Sequence, residues 1–134
     1  MIVLDTDAVS VVASGRAPFE LANLLEKTPV SEQATTAITM GELVFGSQRV
    51  GRPQLYMRAV AMLGGAAVLP FDDYAAEQYG VLRAGLEARG TPLADADLRI
   101  AATVLLHDAT LVTGNARHFG RVPDLKLLDW RRLP

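Results

Sequence analysis

Apolar residues run without interruption through Ile2-Val3-Leu4 and stop at Asp5-Thr6-Asp7. Consecutive apolar, β-branched positions predict a strand covered on both faces, as in a parallel sheet. The pattern then changes to helical spacing over 8–13 and, after Gly15 and Pro18, over 19–25. Thr35-Thr36-Ala37-Ile38 predicts a second strand, and Met40, Leu43 and Val44 share one face of a helix expected over 39–48. Gly51-Arg52-Pro53 breaks it, and a further helix is predicted over 53–63. A third strand is read over 66–71, long helices over 72–89 and 94–107, a fourth strand over 110–113, a helical turn carrying Arg117 and Phe119, and an edge strand over 125–130. Strands alternating with helices predict an α/β fold with a mainly parallel, roughly five-stranded sheet. No repeat, low-complexity stretch or linker divides the chain, so residues 1–134 read as a single domain.

Composition narrows the class. Half of the residues are hydrophobic and 21% are charged, with a net charge of −2. That supports a substantial core and rules out the global basic excess of a general nucleic-acid binder, so any RNA contact must rest on local patches. No cysteine is present, which excludes disulfides and Cys-ligated zinc and suits a reducing cytoplasm. The chain reads as lacking a secretory leader, and no apolar run approaches the roughly 18 residues of a membrane span.

Candidate chemistry gathers at the predicted carboxyl ends of strands, where open α/β sheets bind ligands. Asp5 follows the first strand directly; it is equally placed to cap the next helix. Glu42 opens the helix after the second strand, although Thr39-Met40-Gly41-Glu42 also fits a capping box. Asp97 shares a helix face with Ile100, Ala101 and Val104, an apolar setting in which an acid needs a partner, or else it is a first-turn acid favoured by the helix dipole. Asp95 points roughly the other way. Thr113-Gly114-Asn115 ends the fourth strand as Asp5 ends the first, with Asn115 as a ligand or a turn residue. Three carboxylates at one edge repel unless a cation neutralises them, and all-oxygen donors suit Mg²⁺ or Mn²⁺. Two such ions about 3.5–4 Å apart catalyse phosphodiester hydrolysis in other proteins.

These segments together resemble the PIN domain, and specifically the VapC toxins of bacterial type II toxin–antitoxin pairs. The resemblance is carried by Ile2-Val3-Leu4-Asp5-Thr6, Ile38-Thr39-Met40-Gly41-Glu42-Leu43, Asp97-Leu98-Arg99-Ile100-Ala101-Ala102, and Leu111-Val112-Thr113-Gly114-Asn115 with Phe119. It implies a PIN-like three-layer α/β/α fold and a metal-dependent endoribonuclease in which Asp5, Glu42 and Asp97 form the acidic set and Asp5 and Asp97 hold Mg²⁺. Asn115 falls where the family has a fourth acid or an Asn, and supplies no charge. Thr6, Thr113 and Asp95 are supporting candidates, and Asp7 stands where the family often has Asn or Ser. The resemblance also implies a VapB-type antitoxin as partner, in a heteromer or beside a homodimer. Val9, Val11, Val12, Phe19, Leu24 and Leu25 are candidates for that face or for ordinary core.

Two basic groups are available for RNA: Arg49, Arg52 and Arg58, and Arg117, His118 and Arg121. The second directly follows Asn115 and is the preferred phosphate contact. Neither His107 nor His118 is placed beside the acids by the sequence; His107 reads as the end of its helix. Two other readings compete. A haloacid-dehalogenase-type phosphatase would use Asp5 as nucleophile, but the only lysines are Lys27 and Lys126. A non-catalytic PIN-like module that binds RNA or protein is opposed by the presence of Asp5, Glu42 and Asp97.

Overall fold

The computed structural model describes residues 1–133. Its centre is β1 (Ile2–Leu4), flanked by β2 (Gln33–Thr36) on one side and β4 (Thr110–Thr113) on the other. β3 (Ala67–Leu69) and β5 (Lys126–Asp129) complete a sheet of order β3-β2-β1-β4-β5, parallel throughout. Parallel neighbours require crossovers. α1 (Thr6–Ala13) and α2 (Phe19–Lys27) carry the chain from β1 to β2. α3 (Ala37–Arg49) and α4 (Gln54–Leu63) lead to β3, α5 (Asp73–Ala88) and α6 (Asp95–Leu106) back to β4, and the short α7 (Ala116–Phe119) on to β5.

Alternation along the strands explains the three layers. Val3 and Leu111 face a core built with Leu82, Leu86, Ile100 and Val104 of α5 and α6. Leu4 and Val112, one position on, face the opposite core with Ala8, Val9 and Leu21 of α1 and α2 and Ala59 and Leu63 of α4. Period-two alternation thus sends each central strand's apolar side chains to both helical layers. Most of the early apolar group belongs to this second core: Val9 is buried and Val11, Val12, Leu24 and Leu25 pack against it, while Phe19 is exposed.

The helical order follows the sequence reading, with shifts at several boundaries. β2 ends at Thr36, two residues before the expected limit of 38, and α3 starts at Ala37 instead of 39. The cause is Thr36, whose backbone is extended (φ −118°, ψ 157°) and whose hydroxyl accepts the Thr39 N–H at 3.0 Å. Thr36 is therefore the cap. The capping box expected from Thr39 to Glu42 does not form, and Glu42 stands a turn further in. The third strand is shorter than 66–71, because Pro70 follows Leu69 and offers no N–H to the ladder. The last strand stops at Asp129, whose carboxylate accepts the Arg131 N–H at 3.0 Å and turns Trp130–Arg132 into a 3-10 turn. That turn lays Trp130 against Gly114: a Cβ on Gly114 would sit 2.7 Å from the indole Cζ2, so only glycine fits the end of β4 there.

Candidate active site

Strand order fixes where the carboxyl ends open. From β1 the chain builds outward to β2 and β3, then crosses back to lay β4 and β5 on the other side. The switch lies between β1 and β4, the position at which open α/β sheets generally bind ligands. Asp5 leaves β1 there, its N–H bonded to the Val112 carbonyl of β4 at 3.2 Å. Its carboxylate accepts the Ala8 N–H at 2.8 Å. Asp5 thus caps α1, and both roles open to it in the sequence meet in one residue. It is buried, with 5% of its surface exposed. Burial pushes its carboxyl up to about 6 against the downward pull of the Thr113 hydroxyl and the Ala8 N–H, and the nearby charges of Asp7 and Asp97 push it further up.

Glu42 comes to the same edge from α3. The Thr6 hydroxyl donates to its Oε1 at 2.5 Å. Thr6 also lies 3.4 Å from the Thr39 hydroxyl, which is 3.2 Å from that of Thr36. A chain of hydroxyls therefore joins the ends of β1 and β2 beneath Glu42. Thr36 and Thr39 are fully buried. The sequence reading missed this network; the cluster of hydroxyl residues at the end of a strand was its available signal.

Asp97 enters from the first turn of α6 and is half-buried. His118 Nε2 lies 2.9 Å from its Oδ2. The expectation that nothing places His118 beside the acids is overturned: α7 is short and tightly turned, with the His118 and Phe119 N–H groups both bonded to the Asn115 carbonyl, and this brings the imidazole across to α6. Asn115 itself is exposed, its side chain forming no cap bond, while its N–H donates to the Thr113 hydroxyl at 3.0 Å.

Other candidates are drawn elsewhere. Asp95 receives the Tyr79 hydroxyl and, at 2.7 Å, the Arg99 Nε. The Tyr79 bond, then Arg99, holds its carboxyl below the usual range, so its charge is spent on that partnership and not on Asp5 or Asp97. Asp7 is exposed in the first turn of α1. Of the preferred phosphate group, His118 is engaged by Asp97 and Arg121 donates to the Pro92 carbonyl at 3.2 Å, leaving Arg117 exposed beside the site. His107 ends α6 as its C-cap. Asp72, the other acid after a strand, caps α5 through the Ala75 N–H.

Among the described residues no three His, Asp or Glu side chains close on a single point as a ready-made metal cage. The arrangement is instead a buried carboxylate, a half-buried one with a histidine behind it, and a third held by a threonine. All its donors are oxygens, and the like charges crowding Asp5 call for a cation.

A family model described as the PIN domain matches residues 2–125. Ribonuclease VapC2 of Rickettsia felis is 32% identical over 130 residues, covering 96% of each chain. The tRNA(fMet)-specific endonuclease VapC of Salmonella typhimurium is 32% identical over 101 residues, 75% of this chain and 76% of that protein. Among solved structures, DNA-bound VapBC from Salmonella typhimurium superposes with a TM-score of 0.87 at 28% identity, covering 96% of this chain and 97% of that one. These relatives leave no place for the phosphatase reading. The chain belongs to the PIN-domain family and, within it, to the VapC ribonucleases.

Proposed function

We propose that this protein is a metal-dependent endoribonuclease toxin that hydrolyses RNA phosphodiester bonds with Mg²⁺, with Mn²⁺ as a substitute, and is neutralised by a VapB-type antitoxin. The observation that carries the reading is Asp5: a buried carboxylate at the switch point, raised to about 6 by burial and by the charges of Asp7 and Asp97. Mg²⁺ retains several waters and takes only one or two carboxylates from a protein, so Asp5 and Asp97 suffice as its ligands without a third. Bound there, the ion would activate water and offset charge on the phosphate. Glu42, aimed by Thr6, would be the carboxylate at this edge suited to hold a proton. His118 fixes the orientation of Asp97, as partners of metal ligands generally do. Thr113 steadies Asp5, and exposed Asn115 stands where it can meet the substrate.

The antitoxin partner is supported by the solved complexes of relatives, whose VapBC pairs include those of Rickettsia felis and Haemophilus influenzae; the toxin is proposed to meet it as a heteromer or as a homodimer. No helix among the described residues is long and apolar enough to cross a membrane, and the protein is proposed to act in the cytoplasm on a cellular RNA. The test is cleavage of a labelled RNA by the purified chain. Cleavage should need Mg²⁺ or Mn²⁺ and vanish in Asp97→Asn; cutting that persists in excess EDTA would exclude the metal mechanism.

A further inference from the structure

An acidic site must draw in a polyanion. Arg117 and Arg131 supply positive charge on its α7 side, and a second group of arginines lies on the other side. A cavity of about 500 Å³ lies between α1, α3 and α4 and opens beside Thr6 and Glu42, the residues it shares with the site. Its volume falls within the roughly 300–1,000 Å³ usual for small-molecule sites. Three arginines line it: Arg16 after α1, Arg52 in the α3–α4 turn and Arg58 on α4. Among the described residues none of the three has an acid within ion-pair distance, whereas Arg83, Arg99 and Arg132 each do. Glu42, the only acid on the wall, already holds the Thr6 hydroxyl. Arg49, grouped with Arg52 and Arg58 by sequence proximity, is turned over the Phe45 ring instead, and Arg16 takes its place. The backbone N–H of Arg52 donates to the Ser47 carbonyl at 2.9 Å and fixes the α3–α4 turn. Half-buried Tyr56 lines the same cavity.

Three positive charges against the single carboxylate of Glu42 leave the hollow with a net positive charge that favours an anion. Guanidinium groups suit phosphate in particular, through paired N–H donors. An aromatic ring beside them offers a face on which any base stacks. We infer that this cavity is a nucleotide subsite for the RNA strand flanking the scissile bond, with Arg16, Arg52 and Arg58 holding its phosphate and Tyr56 its base. The inference rests on the endoribonuclease reading, and it assigns to the α1–α3–α4 wall the phosphate binding expected from Arg117, His118 and Arg121.

Binding tests it apart from catalysis. The probe is a short fluorescein-labelled single-stranded RNA of mixed sequence, titrated in EDTA against Asp97→Asn protein at several salt concentrations. Added Arg52→Gln or Arg58→Gln should weaken binding roughly tenfold. Each should also flatten the dependence of log Kd on log salt by about 0.7, the share of one phosphate on a single strand. Tyr56→Ala should weaken binding roughly tenfold without changing that slope, and Tyr56→Phe should restore it. Arg83→Gln, on α5 and already paired with Glu87, is the control and should change neither. Wild-type affinity and slope in the Arg52 and Arg58 variants would overturn the subsite while leaving the nuclease reading intact. So would variants that bind RNA normally but lose a VapB-type antitoxin. Absence of RNA binding by the parent would likewise overturn the subsite, whereas the nuclease reading falls only if the wild-type chain fails to cleave RNA with Mg²⁺.

Discussion

Replacing Asp5 by Asn should make the protein inactive and, without metal, more stable at neutral pH. In the fold the Asp5 carboxyl titrates near 6, against 3.8 when unconstrained. A raised carboxyl binds its proton more tightly in the folded chain than in the unfolded one. Its contribution is therefore fully favourable below pH 3.8 and is lost as pH rises to about 6. Two pH units at 1.36 kcal/mol each put the loss at about 3 kcal/mol above that window. Asp5 is 5% exposed, so solvent screening removes little of it. Asn has the same shape, accepts the Ala8 N–H through the same oxygen, and carries no charge. The metal-free variant should gain about 3 kcal/mol at pH 7, roughly 10 °C in Tm for a chain of this size. The gain should shrink to nothing near pH 4, where the native Asp5 is itself protonated. Thermal unfolding by circular dichroism in EDTA, from pH 4 to 8, measures both. Mg²⁺ should raise the Tm of the parent and leave the variant's unchanged. A variant less stable than its parent at pH 7, or a gap independent of pH, would refute the reasoning, because Asp5 would then be serving the fold as an ionised cap.

Three further outcomes are expected. His118→Ala, which frees the Asp97 carboxylate, should lower kcat or Mg²⁺ affinity roughly 10–100-fold in a cleavage assay, with a nearly unchanged Tm. Thr36→Ala removes the hydroxyl that caps α3 and should cost about 1 kcal/mol in urea unfolding, where Thr36→Ser should restore it. Gly114→Ala drives a methyl to 2.7 Å from the Trp130 ring and should cost about 1–3 kcal/mol in the same measurement.

The strand edges that carry Asp5 and Asn115 were readable because a buried parallel strand leaves a plain record: an apolar run, then an abrupt polar residue. Helical spacing put Asp97 on the apolar face of its helix but left it open as a first-turn acid, and only the family resemblance joined it to Asp5. What escaped depended on contacts between segments distant in the chain. His118 lies twenty-one residues from Asp97, and nothing local shows that the α7 turn spans that gap. Arg16 joins Arg52 and Arg58 only because α1 packs on α4, whereas neighbourhood in sequence grouped Arg49 with them and turned out to lead to Phe45. Thr39 was read as a cap because Thr35 to Ile38 looks uniformly strand-forming. Three residues earlier, the hydroxyl of Thr36 had already stopped the strand.

Trp130 is the only tryptophan in the chain. Its ring presses on Gly114, one residue from Asn115, and its Nε1 is buried with no hydrogen-bond partner among the described residues. The molecule therefore carries its own optical probe at the end of β4, next to Asn115. An indole so shielded from water emits toward the blue, and its spectrum answers to any shift in the end of β4. Arrival of an ion, an RNA or an antitoxin at that edge can be followed by intrinsic fluorescence in unmodified protein, with no competing fluorophore of the same kind to subtract.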